Sequence, residues 1–340
     1  MLINDLGKIY SQRVGIWCIV KHMKRYDVTA LGLAVMDILA SPADKSLFDG
    51  EKTPVDSIIV APGGDAANEA ADLARLGRSV ALCCRLGGDA LGRLFAAEME
   101  ASGVDLSHVA VSAESVTTAA IVLVSADGQR NILHRRGNNY DFCIGDVDMG
   151  LIANARALTV GSFYGCPKLD EDGMEGILVH AKRHGVTTFA DMATDKRGRK
   201  LDGIKTFLPY VDWFLPSEAD SRHLTEGFSC EDAAKAFSDA GAKNVVIKLG
   251  ERGAYARCRD YTGYIPAFIV DAKDTTGSGD AFCAGLIHAL LDGKGTTEAL
   301  DFACACGAFN AQYMGAASSQ LSPKSIEEFM RTSSRRSAAV

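Results

Sequence analysis

From Tyr26 onward the chain alternates short apolar runs with stretches of helical composition, and this alternation constrains its fold more than any other feature. Residues 28–35 read as a strand ending at Met36-Asp37, which puts a carboxylate at a strand's C-terminal end, where open α/β sheets bind ligands. Residues 57–61 form a second apolar run, broken by Pro62-Gly63-Gly64. Residues 65–76 are helical in composition, with Gly77 as the stop signal, followed by a strand at 79–85 and a helix at 89–102. Further strands are expected at 157–160, 187–190, 213–215 and 245–248, and further helices at 174–184 and 230–240. Repeated strand–helix units of this kind imply an α/β fold, a mostly parallel sheet flanked by helices on both faces.

A different rhythm occupies residues 117–136. Ile121, Leu123, Ile132 and His134 alternate with their neighbours around Ala126-Asp127-Gly128, which is a hairpin signal. Two readings fit: a small β-sheet lid projecting from the α/β core, or an ordinary antiparallel edge. With 340 residues the chain could hold one large domain or two smaller ones, but no repeat, low-complexity tract or linker divides it. Residues 1–25 read as an extension, residues 26–330 as the domain with lid segments near 38–62 and 114–137, and residues 331–340 as a frayed tail. The apolar run at 14–20 is too short to span a bilayer, and Lys21, His22, Lys24 and Arg25 follow it in place of a small-residue cleavage site. Neither a signal peptide nor membrane association is expected, and Met23 is an alternative start.

Composition narrows the function classes. A formal charge of −7 argues against a nucleic-acid footprint, which needs clustered Lys and Arg. The chain has 10 cysteines but no C-x-x-C pair; Cys83, Cys84, Cys143, Cys283, Cys304 and Cys306 sit among apolar or small residues, as reduced core cysteines do. Cys304 and Cys306 flank one alanine with no histidine nearby, so zinc is not expected. The expected compartment is reducing and cytoplasmic.

The chemistry concentrates in Asp274-Thr275-Thr276-Gly277-Ser278-Gly279-Asp280, which leads into a helix over 283–291. Two glycines around one small residue let the backbone turn sharply and expose N–H groups at a helix start, a site that favours an anion. The helix dipole supplies only about 0.3–1 kcal/mol, so aimed N–H donors must carry most of the effect. Asp280 is the odd member of such a cradle. It either caps the helix or accepts a proton from a hydroxyl that attacks a phosphoryl group.

This stretch resembles the D-T-x-G-A-G-D signature of the ribokinase-like (PfkB) carbohydrate kinases, with Ser278 for the usual Ala. Gly63-Gly64-Asp65-Ala66-Ala67-Asn68, continuing to Leu73-Ala74-Arg75-Leu76-Gly77, resembles that family's second element, G-G-x-x-x-N-x-A…L-A-R-L-G. The likeness runs from about Tyr26 to Met330. It implies a ribokinase-like central sheet with a small β-sheet lid, and ATP-dependent phosphorylation of a hydroxyl on a small sugar or sugar acid. Gly277, Ser278 and Gly279 would form the anion hole and Asp280 the general base, while Asp37, Gly63, Gly64 and Asn68 would bind the substrate. Asp65 is a weaker candidate, since it can cap its helix. By the same resemblance the nucleotide lies on Lys248-Leu249-Gly250-Glu251-Arg252-Gly253, where Lys248 stands in place of the usual Thr, and on a helix over 302–310 that brings Cys304 near the adenine. The family's N-x-x-E element, which organises Mg²⁺ through water, aligns with Ser217-Glu218-Ala219-Asp220, giving Asp220 or, alternatively, Glu218 as the acid. Gly315-Ala316-Ala317-Ser318 falls where some relatives bind K⁺, or is a plain helix-ending turn. Homodimerisation through the lid is expected from the same likeness. Lys196, Arg197 and Arg199 read as solvated side chains. A nucleoside kinase of the same fold and a catalytically silent sugar-binding regulator stay open as alternatives. A dinucleotide-binding dehydrogenase and a Walker-type NTPase do not, for want of G-x-G-x-x-G and G-x-x-x-x-G-K-[ST].

Overall fold

The computed structural model describes residues 25–50, 52–125, 130–316 and 321–336. In chain order the strands are β1 (Tyr26–Leu31), β2 (Val35–Ser41), β3 (Ser57–Gly63), β4 (Val80–Cys83), β5 (Arg85–Gly87), β6 (Ala110–Ser112) and β7 (Ala119–Val124). They continue as β8 (Arg130–Arg135), β9 (Ala155–Phe163), β10 (Thr187–Met192), β11 (Trp213–Phe214), β12 (Asn244–Lys248), β13 (Ala254–Arg257) and β14 (Thr262–Ile265). Eight of them form one sheet in the order β14-β13-β12-β11-β10-β9-β1-β4. Its pairs from β4 across to β12 are parallel, and β13 and β14 add an antiparallel edge that the sequence reading did not include. Strands such as β9 are buried almost throughout, because helices cover both faces. One apolar cluster includes Leu73, Phe95, Leu286 and Phe302, and a second, on the other face, includes Phe163, Ile177, Phe214 and Phe237.

The segment expected as one strand over 28–35 is two. β1 ends at Leu31, and Gly32, at φ 145°, turns the chain out of the central sheet; a Cβ there would lie 3.3 Å from that of Ala66. Asp37 therefore stands on β2 of a separate four-stranded sheet, order β3-β2-β7-β8, and not at the end of a central strand. The expected hairpin is present as β7 and β8, antiparallel in that sheet; its Ala126-Asp127-Gly128 tip lies outside the described residues. The strand expected over 79–85 likewise splits into β4 and β5.

The small sheet has two distinct faces. Val60, Ile38, Ile121 and Leu133 form one cross-strand row, and Val60, Ile121 and Leu133 are 45%, 40% and 60% exposed. The neighbouring row, on the opposite face, runs Ala61, Asp37, Ala120, His134.

At the C-terminus the helix Pro323–Thr332 extends past the expected limit, and the chain as far as Arg336 is ordered against the domain rather than frayed. Arg335 forms an antiparallel bridge with Phe268, and Arg336 N–H donates to the Ala267 carbonyl at 2.9 Å.

Candidate active site

The glycine turn is itself the first turn of a helix, Ser278–Leu291, which starts earlier than the apolar pattern indicated. Its N-cap, Gly277, has φ 72°, and a Cβ there would come 1.7 Å from the Ala316 carbonyl oxygen. Only glycine lets the loop at 310–316 pack against the turn. Asp274 locks the arrangement: one oxygen accepts from the N–H and hydroxyl of Thr276 at 2.9 and 2.6 Å, the other from Gly315 N–H at 3.0 Å. Asn310 adds a bond to the Thr276 carbonyl at 3.0 Å. Ser278, Gly279 and Asp280 then line a cavity of about 460 Å³. The N–H groups of Gly279 and Asp280 lie in the first helical turn, where no intrahelical acceptor exists for them. Ser278 Oγ is buried without a hydrogen-bond partner.

Helix Asp65–Arg75 packs against helix Ser278–Leu291, and this contact brings the two motifs together. Asn68 Nδ2 donates to Asp280 Oδ2 at 2.7 Å. Asp280 is only 8% exposed. Burial, opposed by the Asn68 bond and by Lys248 and reinforced by Asp191 and Asp72, pushes its carboxyl up to about 7. Gly64 must be glycine on two counts: its φ is 96°, and a Cβ would lie 2.7 Å from the Leu33 carbonyl oxygen. The Asp37 carboxylate sits where a Gly63 Cβ would be, 2.0 Å from the ideal position, and burial with nearby Asp65 raises it to about 6. Asp65 does not act as a helix cap. It accepts from the Ser162 hydroxyl and lines the cavity, and burial and Asp280 hold it well above the usual carboxylate range.

Lys248, the departure from the family's Thr, points into the cavity floor and pairs with Asp191 at the end of β10. Its ammonium also lies 3.6 Å from Cys283 Sγ and 3.4 Å from where a Gly279 Cβ would be. Burial disfavours this charge, but the Asp191 carboxylate outweighs it and holds the ammonium above its ordinary range. Glu69 lies nearby, fully buried, with Oε2 accepting from Thr159 Oγ1 at 2.5 Å and Oε1 unpartnered; burial and then Asp191 raise it strongly. Ligand atoms of Glu69, Asp191 and Cys283 fall within 4.8 Å of one another, but the Lys248 ammonium already touches Asp191 and Cys283, so no cation is assigned there. Sequence reasoning assigned no role to either acid. Asp191 was findable by the strand-end rule applied to Asp37. Glu69 was findable as the one charge in the apolar stripe of Ala66, Ala70 and Leu73.

Ser217 and Asp220 cap the helix Glu218–Leu224 reciprocally: Ser217 Oγ accepts from Asp220 N–H at 3.1 Å and donates to Asp220 Oδ2 at 2.5 Å. Both line the cavity. Glu218 turns away into ion pairs with Arg222 and Arg252. Gly250 and Gly253 border the cavity with φ of 59° and 98°, and a Gly253 Cβ would strike the Ile265 carbonyl oxygen. Cys304 lies in its apolar wall with Phe268, Val270 and Ala308. Among the expected site residues, Asp37, Gly63, Gly64 and Asn68 do not line this cavity; Asn68 reaches it through its bond to Asp280, and Asp37 lies near Asp65 of its lining. Ala317 and Ser318 of the expected potassium segment lie outside the described residues. Lys196 and Arg197 are exposed, as expected, but Arg199 is half-buried, stacking 4.1 Å over the Tyr164 ring.

Residues 26–323 match the pfkB family carbohydrate kinase profile. Fructokinase-1 of Oryza sativa is 30% identical over 304 residues, covering 85% of this chain and 93% of that protein. The structure of Arabidopsis thaliana ribokinase complexed with ribose and ATP superposes with a TM-score of 0.76 at 26% identity, covering 90% of this chain and 99% of that one. A putative ribokinase II from E. coli in complex with ATP and Mg²⁺ shares the fold, with a TM-score of 0.79 at 23% identity over 90% of this chain and 99% of that one.

Proposed function

The chain belongs to the pfkB family of carbohydrate kinases and phosphorylates a sugar with ATP; from that premise we propose that Asp280 is the general base, acting on a sugar hydroxyl held between Asp280 and Asp37. The observation that carries this is the Asn68–Asp280 hydrogen bond, which ties the base to the substrate-side motif. Asn68 fixes one carboxylate oxygen, and the other takes the proton as the hydroxyl oxygen attacks the γ-phosphorus and the bond to the β–γ bridging oxygen breaks. A base near 7 suits that work at neutral pH, because about half of it is ionised and it is still basic enough to accept the proton. The substrate side presents two carboxyl groups, Asp37 and Asp65, which suit hydrogen bonds to sugar hydroxyls and supply no positive charge to a sugar acid or a phosphosugar. Fructose and ribose, the substrates named for relatives, are the first candidates.

The nucleotide reading rests on the two-ended cavity. Its apolar wall of Phe268, Val270, Cys304 and Ala308 suits a purine, and its polar end suits phosphates. There, of the turn at Gly277, Ser278 and Gly279, the Gly279 N–H with that of Asp280, the unpartnered Ser278 hydroxyl and the Lys248 charge would receive the transferring group, while the Ser278 N–H is already donated to the Thr275 carbonyl. Asp220 is a hard oxygen donor on that end and fits Mg²⁺ held mostly through water, whereas Asp191 is already paired with Lys248. Bound there, the ion would neutralise phosphate charge. K⁺ beside the segment that begins at Gly315 and Ala316 is an extension of this reading, tested by activity with and without the ion.

Two further points complete it. The Val60–Ile38–Ile121–Leu133 row is an apolar face that a second copy of this chain would cover, giving a homodimer. The nine described cysteines are free thiols, and no described helix is long and apolar enough to cross a membrane, which supports a cytoplasmic location. The deciding experiment is an ADP-release screen with Mg-ATP over pentoses, hexoses, sugar acids and nucleosides, with and without potassium. Turnover confined to sugar acids would overturn the acidic-site argument, and silence on all four classes from folded protein would revive the sugar-binding regulator.

A further inference from the structure

The segment after the last helix does more than end the chain. Ile269 N–H donates to the Ser334 carbonyl at 2.9 Å, Phe268 bridges Arg335, and Arg336 N–H donates to the Ala267 carbonyl, so residues 334–336 run as a short strand along the wall at 267–269. Arg335 fastens this strand: its guanidinium stacks 4.2 Å over the Phe268 ring and pairs with Asp301 at 2.8 Å. The next residue, Arg336, lines the cavity and pairs with Glu251, which also lines it, at 2.9 Å. Its side chain is 45% exposed, so the guanidinium is half in water and half over the cavity mouth.

Position along the helix Thr296–Asn310 says which part of a nucleotide it would meet. Gly307 borders the phosphate end, since a Cβ there would come 2.9 Å from the Ser278 carbonyl oxygen. Asp301, where the tail is fastened, is six residues earlier, about 9 Å along the axis. Arg336 thus stands at the nucleoside end, beside the Phe268 and Cys304 wall. With one edge held by Glu251, a planar guanidinium has its face free to lie against a flat ring.

We propose that Arg336 is a nucleotide-binding residue, delivered by the C-terminal strand, that stacks on the purine and closes the mouth of the pocket. This rests on the reading that the 460 Å³ cavity holds ATP. The test is equilibrium binding of Mg-ATP, Mg-ADP and AMP, with the KM for ATP, in the full-length protein and five variants. Arg336→Ala and deletion of residues 334–340 should each weaken all three nucleotides by the same factor, about 3- to 30-fold, the range of a partly desolvated cation–ring contact. Arg336→Lys should recover little, because it keeps the charge and loses the plane. Arg331→Ala, at an exposed residue paired with Glu328, should bind as wild type. Ala308→Phe, which fills the apolar slot, should lose binding altogether. Unchanged affinity in Arg336→Ala alongside a broken Ala308→Phe overturns the role of Arg336 while leaving the pocket assignment intact. Normal binding in Ala308→Phe removes both. A loss graded from ATP to ADP to AMP overturns the stacking, since it marks a phosphate contact.

Discussion

Asn68 and Asp280 stand 212 residues apart in the chain and share one buried hydrogen bond, Nδ2 to Oδ2 at 2.7 Å. The bond favours the ionised carboxylate, and burial opposes it. Replacing Asn68 with alanine removes the donor and leaves the burial, so the Asp280 pKa should rise above about 7. The acid limb of the pH profile of kcat/KM should then move to higher pH, with activity at pH 7 down by about tenfold or more and partly recovered near pH 9. A limb that stays in place would mean that Asp280 is not the titrating base.

Asp280→Asn separates catalysis from stability. Transfer should fall by about 10²–10⁴-fold while ATP and sugar bind nearly as before. The stability effect has the opposite sign. The folded-state pKa of Asp280 lies above its ordinary 3.8, so the folded protein holds a proton that the unfolded chain releases, and stability is lost as pH rises from about 4 through about 7. Asparagine does not titrate. The variant should therefore gain on wild type across that window, melting higher at pH 8, by about 2–4 °C for each kcal/mol recovered, with a much smaller difference at pH 4. Thermal melts at the two pH values check this.

Much of this site was legible because its residues answer to local rules. Gly277 and Gly64 sit at backbone angles that L side chains avoid, and such positions leave a glycine pattern in sequence. The alternating strands and helices gave the parallel sheet for the same reason, since periodicity is local. What was not legible depends on contacts between distant segments. A single apolar run over 28–35 could not reveal that Gly32 turns the chain into a second sheet, because the break is set by the approach of Ala66. Nor could the sequence place Lys248 on Asp191, a pairing across two non-adjacent strands. The tail was misread because Arg and Ser suggest a solvated end, while the anchor, the Phe268 backbone edge, lies far away in the chain.

Lys248→Thr, which restores the family's usual residue, should be harmful in this chain. It strips Asp191 of its partner in a buried site that also contains Glu69 and Asp280, and breaking a buried pair from one side typically costs about 3–5 kcal/mol. Adding Asp191→Asn should recover most of the stability by removing the stranded charge. Activity should not return with it, because the cation near Gly279 is still missing. Denaturant melts and ATP kinetics on the two variants and the wild type test both halves, and a stable, active Lys248→Thr would reject the pairing as a working part.

The exposed row on the small sheet predicts association. Ile121 and Leu133 are directly opposite each other on β7 and β8, at 40% and 60% exposure. A pair of aspartates there would place like charges in any two-fold contact. Ile121→Asp/Leu133→Asp should convert a dimer to a monomer in light scattering without lowering the melting temperature of the core, while an unchanged dimer would locate the interface elsewhere.

The inward face of the same sheet predicts a lid. Asp37 and His134 share its inner row, so the face that presents a substrate ligand is continuous with the β7–β8 hairpin. If this hairpin covers the sugar, its removal opens the reacting phosphoryl group to water, the usual competitor in phosphoryl transfer. Replacing residues 119–135 with a short Gly-Ser link should raise the ratio of ATP hydrolysis to sugar phosphorylation, and the KM for sugar should rise more than the KM for ATP. Asp37→Asn, with the hairpin intact, should raise the KM for sugar alone, since it alters one contact without admitting water. Equal hydrolysis ratios in the two variants would make the sheet a binding wall and not a lid.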